Sequence, residues 1–245
     1  MANVHICTDK NVLFSQAADL FVKLANEAIT SRGRFCVALS GGSTPRGVHT
    51  LLASEAYRQT VAWQKVYCFW GDERCVAPTH KDSNYRMADE TLLSQVPIPQ
   101  ENVHRIRAER DPAEAANCYE QTLRQVFGVH TGTQPQFDLV FLGMGADGHT
   151  ASLFPGTPAL HAEDHLVSAH FVEKLDAWRV TLTVAMINNS AYIAFLVAGE
   201  DKAATLKAVV EGDGQQEQYP SQLIQPTHGR LLWLVDQAAA GQLSL

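Results

Sequence analysis

The sequence predicts an α/β protein, a doubly wound and mostly parallel sheet with helices on both faces, from three observations. Short apolar-rich runs of five to seven residues recur along the chain, as strands covered on both faces require. Segments with 3.6-residue apolar spacing fall between them, the alternation that generates parallel crossovers. Several runs end in loops rich in glycine and charged residues, where sheets of this kind place their chemistry.

In chain order, residues 13–29 set Leu13, Ala17, Leu20, Phe21, Leu24, Ala25 and Ala28 on one helical face, with Gly33 as the stop. Phe35–Leu39 is a strand running into Ser40-Gly41-Gly42-Ser43-Thr44-Pro45, where Thr44 is expected to cap a helix with Pro45 in its first turn. Val66–Trp70 repeats the pattern, ends in Gly71-Asp72-Glu73-Arg74, and precedes a helix over 84–93. Asp111-Pro112 opens a further helix to Gly128. Residues 137–142 form a third strand, delivered into Gly143-Met144-Gly145-Ala146-Asp147-Gly148-His149-Thr150. Residues 179–184 and 192–198 read as strands, 200–211 as a helix, 212–218 as a surface loop, and 231–235 as a last strand before a short Ala-rich helix. No repeat or Pro/Ser-rich linker interrupts the chain, so residues 1–245 are expected to form one domain.

Composition narrows the function classes. At 245 residues and 46% hydrophobic content, a single domain buries roughly three quarters of its unfolded surface and needs no disulfide or metal staple. The 19 Lys+Arg against 26 Asp+Glu leave a formal charge of −7, which argues against a general nucleic-acid or anionic-membrane surface and confines any anion site to a local pocket. No apolar run approaches the ~20 residues of a membrane span, and Met-Ala-Asn-Val-His-Ile lacks the order of a secretory signal, so cytoplasmic residence is expected. Cys7, Cys36, Cys68, Cys75 and Cys118 are odd in number and contain no C-x-x-C pair; they read as buried reduced thiols.

Three loops can carry chemistry. Residues 40–44 open a helix, and their amides with the helix dipole suit a phosphate; a plain Gly-rich turn fits the spacing equally well. It is not a Walker A loop, because Val48-His49 stands where Lys-Ser/Thr is required. Gly143-Met-Gly-Ala-Asp-Gly148 matches G-x-G-x-x-G, raising a dinucleotide-dependent oxidoreductase. That reading fails: Pro155, Gly156 and Pro158 stop the helix it needs, and Asp147 would crowd a pyrophosphate.

Among ten histidines, His149 stands between small residues with Asp147 two positions away as a charge partner, the setting of a general base; an ordinary loop histidine fits as well on these residues alone. His161 and His165 fall in no zinc pattern and read as surface residues. In Gly71-Asp72-Glu73-Arg74, either a solvated turn is present or Arg74 reaches a substrate oxygen while the carboxylates hold it or cap amides. Arg179 and Lys202 lie near element ends, where an anionic ligand can meet them, though each is also an ordinary surface charge.

At these residues the sequence resembles the 6-phosphogluconolactonase family, the type related to glucosamine-6-phosphate deaminases. The blocks are Leu39-Ser-Gly-Gly-Ser-Thr-Pro45, Trp70-Gly-Asp-Glu-Arg74, Asp82-Ser-Asn-Tyr-Arg-Met87, Gly143 through Gly156, Arg179-Val-Thr-Leu-Thr183 and Gly199-Glu-Asp-Lys202. The resemblance implies a Rossmann-like sheet of the sugar-phosphate isomerase type. It implies hydrolysis of 6-phospho-D-glucono-1,5-lactone to 6-phosphogluconate in the oxidative pentose phosphate pathway, without metal or organic cofactor. The partner implied is a small phosphorylated sugar lactone; no nucleic-acid or membrane partner is expected, and the chain is expected to be a monomer or weak homodimer.

By the same resemblance, His149 is the general base toward water and Asp147 shapes the site beside it. Gly41, Gly42, Ser43 and Thr44 bind substrate, while Arg74, Arg179 and Lys202 supply positive charge to phosphate or to the carbonyl oxygen. The related deaminases carry a Glu soon after the loop His, whereas here no carboxylate follows His149 until Glu163, which favours the lactonase. A non-catalytic sugar-phosphate binder is the other alternative, and it has no use for His149. Two departures from the family pattern are Asp176-Ala177-Trp178 before Arg179 and His228 before Gly229.

Overall fold

A computed structural model describes residues 3–130 and 132–244; Met1 and Ala2 of the N-terminal stretch lie outside them. β1 (Val4–Cys7) leads into α1 (Lys10–Arg32), whose N-cap Asp9 accepts from the amides of Asn11 and Val12 and which ends on Gly33 at φ 77°. β2 (Phe35–Leu39) is buried along its whole length and precedes α2 (Ser43–Leu52) and the single turn α3 (Glu55–Arg58). β3 (Val66–Trp70) and β4 (Asp72–Arg74) are separated by Gly71 alone, and α4 (Asn84–Thr91) follows. α5 (Pro112–Phe127) is capped by Asp111 and stopped by Gly128. Then come β5 (Leu139–Leu142), β6 (Val167–Val172), β7 (Ala177–Leu182), α6 (Val184–Asn188), β8 (Tyr192–Val197), α7 (Ala203–Glu211) and β9 (Arg230–Asp236).

Six strands pair in parallel in the order β1-β9-β8-β5-β2-β3. Helices cover both faces, as residue parity shows. Phe21 of α1 packs on Phe35 and Phe141, which point to one side, while Phe127 of α5 packs on Phe69, which points to the other. The predicted doubly wound sheet is therefore present. Beside it stands an antiparallel sheet, β4-β7-β6, that sequence reading did not anticipate. Since Gly71 alone links β3 to β4, the second sheet springs from the carboxyl edge of the first.

Several expected boundaries shift. Thr44 is not the cap of α2: Gly42 is, at φ 100°, and Ser43 and Thr44 are already helical. A side-chain cap is absent there, and the backbone conformation that glycine permits starts the helix instead. Gly71-Asp72-Glu73-Arg74 is no solvated turn but a buried strand. The strand expected over 179–184 spans Ala177–Leu182, because Thr183 caps α6 through a bond from the Met186 amide. The strand expected from 137 begins at Leu139, the helix expected to 93 ends at Thr91, and Glu200–Lys202 is a 3₁₀ turn before α7. No helix follows Gly148, in line with the proline argument. All five cysteines are free, but Cys75 and Cys118 are only half-buried. No helix among the described residues is long and apolar enough to cross a membrane.

One buried group stands out in the packing. His49 of α2 is wholly enclosed, and neither ring nitrogen has a hydrogen-bond partner among the described residues. Burial first, and Arg46 after it, lowers its pKa to about 4. The unfolded chain takes up this proton near pH 6.5 while the folded state refuses it until about 4. Proton uptake thus favours unfolding across that window. Stability should decline as pH falls from 6.5 toward 4, by up to roughly 3 kcal/mol from this residue. In urea titrations at several pH values, His49→Leu should show a distinctly flatter decline than the parent chain over this range.

Candidate active site

The chain leaves β2 toward β3 on one side and returns through β5 on the other, so the strand order reverses between β2 and β5. The loops that follow diverging strands part, and a crevice opens outside their carboxyl ends. A cleft of about 240 Å³ lies there, lined by Gly41, Gly42, Ser43 and Thr44, by Asp72 and Arg74 of β4, and by Gly145, His149 and Lys202. An adjoining cleft shares Asp72, Arg74, His149 and Lys202 and adds Asp147, Lys174 and Arg179. Every residue singled out in the sequence as a site candidate thus lines one of two contiguous spaces.

The loop after β5 is tied down along its length. Thr150 Oγ1 donates to the Gly143 carbonyl at 2.8 Å, Thr205 Oγ1 to the Ala146 carbonyl at 2.7 Å, and both the amide and the hydroxyl of Ser221 donate to the Gly148 carbonyl. On this frame the Asp147 Oδ1 lies 2.5 Å from His149 Nδ1. A carboxylate only accepts, so the proton of that bond sits on Nδ1, and in the neutral ring Nε2 carries the free lone pair. The other face of the problem is space: a Cβ on Gly145 would overlap the His149 ring and the Asp147 carboxylate, so this contact requires glycine. Phe154 stacks on the imidazole with centroids 4.1 Å apart.

Asp147 Oδ2 receives the Lys174 ammonium at 2.9 Å. Together with the stronger bond from His149, and against the effect of burial, this holds the carboxyl well below the usual carboxylate range. Ala151, a non-glycine residue at φ 48°, lines both clefts and turns the chain immediately before Ser152 and Phe154.

β4 brings two acids inward. Asp72 accepts from Ser152 Oγ at 2.6 Å and from Asn84 Nδ2 at 3.2 Å. Glu73 turns away from the cleft and accepts from the amides of Arg74, Asn84 and Tyr85 and from Ser83 Oγ. Burial raises its carboxyl pKa and those amides oppose the rise. It thereby ties the start of α4, and with it Asn84, to the strand that bears Arg74.

Arg74 and Arg179 are directly opposite each other in the β4–β7 ladder, a like-charge pairing that is unfavourable on its own. Among the described residues neither forms an ion pair; Arg74 donates to the Asp82 carbonyl and Arg179 to the Trp178 carbonyl. Burial first, then Arg74, weakens the hold of Arg179 on its charge. Lys202 bonds to exposed Asp201 at 2.8 Å. His161 and His165 are surface residues, as expected. Sequence reading missed Asn84, Ser152, Phe154 and Lys174. The first three sit inside blocks it quoted, whereas Lys174 carries no local signal.

The chain matches the model of the glucosamine-6-phosphate isomerases/6-phosphogluconolactonase family over residues 8–233. It is 42% identical over 241 residues to the 6-phosphogluconolactonase of a Synechocystis species, covering 98% of each chain. It is 42% identical over 243 residues to that of a Nostoc species, covering 99% of this chain and 98% of the relative. Among solved structures, the 6-phosphogluconolactonase of Trypanosoma brucei superposes with a TM-score of 0.88 at 26% identity, covering 100% of this chain and 99% of that one. A monomeric glucosamine-6-phosphate deaminase shares the fold, with a TM-score of 0.83 at 18% identity. On the extent of these matches, the chain belongs to the glucosamine-6-phosphate isomerases/6-phosphogluconolactonase family.

Proposed function

We propose that this protein hydrolyses 6-phospho-D-glucono-1,5-lactone to 6-phospho-D-gluconate, the lactonase step of the pentose phosphate pathway, with His149 as the general base. Membership of the family and the names of its full-length relatives support the reaction. The observation that carries the residue assignment is the Asp147–His149 pair at 2.5 Å, placed in a crevice that also holds Arg74, Arg179, Lys202 and the residues that open α2.

The steps follow from that arrangement. The phosphate of the substrate is drawn to the positive groups of the cleft: the amides opening α2, Lys202, and the unpaired Arg74 and Arg179. Water beside His149 loses a proton to Nε2 as its oxygen bonds to lactone C1, the carbonyl becomes an oxyanion, and a cation of the cleft stabilises it. Collapse restores the carbonyl, breaks the bond from C1 to the ring oxygen, and the imidazolium returns the proton to that oxygen. Asp147 keeps the ring in the required tautomer and stabilises the imidazolium in between. A lactone is an activated ester, so one base and good positioning form a sufficient inventory.

The deaminase alternative needs a carboxylate base. Of the carboxylates lining the clefts, Asp72 and Asp147 each accept hydrogen bonds on both oxygens, and Asp82 stands mostly exposed near His80. Imidazole-driven hydrolysis fits this set better. A purely binding protein would have no need of the oriented histidine.

Three measurements test the proposal. His149→Ala should fold, keep its affinity for 6-phosphogluconate and lose about 10²- to 10⁴-fold in kcat; a variant of unchanged rate would remove the imidazole from the mechanism. After correction for spontaneous hydrolysis, kcat/KM should fall on acidification from pH 8 to 5, since only the neutral ring accepts a proton. A flat profile rules out an imidazole base, and Asp147, held ionised far below this range, cannot supply the limb. Finally, Arg179→Ala and Lys202→Ala should each weaken phosphorylated lactone by about tenfold or more in KM while sparing unphosphorylated gluconolactone. Equal losses on both substrates would take these cations off the phosphate.

A further inference from the structure

The turn between β6 and β7 reaches toward the base from outside the sequence blocks that build the site. Glu173–Leu175 form a single 3₁₀ turn and Asp176 closes it at φ 46°, which fixes the direction in which Lys174 leaves the hairpin. Its ammonium spans to Asp147 Oδ2 at 2.9 Å, while Asp147 Oδ1 is given to His149 Nδ1. The two carboxylate oxygens are thus held from opposite sides, one by the hairpin and one by the imidazole. A carboxylate held at one oxygen only is free to rotate about χ2, a soft torsion; held at both, it keeps Oδ1 directed at Nδ1.

We propose that Lys174 is a positioning residue for the reaction, acting on His149 through Asp147; this rests on the reading of His149 as the base. It does not need to touch substrate. A solvent-exposed ion pair contributes little to stability, so the value of this one lies in orientation and in charge. The cation opposes the build-up of a second positive charge on the nearby imidazole. The other charged groups sharing these clefts with His149 are Asp147 of its own loop, Asp72 and Arg74 from β4, Asp82 before α4, Arg179 from β7 and Lys202 before α7. Among the described residues none of the other cations pairs with Asp147, so none replaces Lys174 in this role.

The test compares Lys174→Met, Lys174→Arg and the parent chain by pH-rate profiles on two substrates, the phosphorylated lactone and unphosphorylated gluconolactone. Lys174 is largely exposed, so both variants should keep the parent's urea midpoint. Loss of the cation should move the acid limb of kcat/KM upward by about half a pH unit, which is about threefold in rate on the acidic side. It should also lower the plateau kcat on both substrates alike, and Lys174→Arg should restore limb and plateau, since a guanidinium reaches the same oxygen. An unmoved limb with unchanged kcat would overturn the proposal. So would a loss confined to KM for the phosphorylated lactone, which would make Lys174 a phosphate contact. His149→Ala run in parallel separates the two ideas: if it stays active, the base assignment has failed, whereas an inactive His149→Ala with a parent-like Lys174→Met sinks the positioning role alone.

Discussion

The reversal of strand order between β2 and β5 is the constraint on which the site depends. Both strands are buried throughout, and a buried backbone must satisfy its polar groups within the sheet, which leaves amides for a ligand only where the chain leaves the strands. Because the chain turns to β3 on one side and comes back on the other, these amides open on a shared gap instead of being covered by a crossover. The glycines at 41 and 42 and the loop after β5 fill its rim. Hydrogen bonds from Thr150, Thr205 and Ser221 then stiffen that loop, so the imidazole is presented by a framework and not by a free strand of chain.

The small antiparallel sheet completes what the parallel one begins. β4 places three consecutive charged residues, and each is used differently. Asp72 is enclosed by Ser152 and Asn84, Glu73 collects amides at the start of α4, and Arg74 remains without an acid partner among the described residues. A buried carboxylate is stable only when its oxygens are saturated with donors, and losing such donors typically costs several kcal/mol. Asp72 and Glu73 meet that condition with neutral donors. They organise β4 and α4 without neutralising the arginines beside them.

The division between what the sequence disclosed and what it hid follows the range of the forces involved. α1 and α5 were legible because apolar spacing, an aspartate cap and a stopping glycine all lie within a few residues of one another. β2 was legible as an uninterrupted apolar run. β4 was not, since Asp-Glu-Arg has the composition of a turn, and its strand character comes from pairing with Arg179–Thr181, more than a hundred positions away. The start of α2 was misassigned to Thr44 for a related reason: a glycine at φ 100° starts the helix with no side chain to announce it. In the site, His149 and Asp147 were readable as neighbours in sequence, but Lys174 stands 27 residues from Asp147 in a hairpin without any motif.

Charge distribution explains how an acidic chain can present a site for an anion. The net −7 belongs to the whole surface, and its influence fades over a Debye length of about 8 Å at physiological salt. Inside the cleft the nearest carboxylates are already committed: Asp72 to Ser152 and Asn84, Asp147 to His149 and Lys174. Apart from Asp82, mostly exposed near His80, the charged groups that remain available to a ligand are positive, and part of that charge is held at a cost, since Arg74 and Arg179 face each other across a ladder. In the proposed reaction, a phosphate or a developing oxyanion between them would turn that repulsion into two favourable contacts. The same engaged acids leave this surplus of cations unneutralised, so the positive part of the cleft and the Asp147–His149 pair belong to one arrangement of charge.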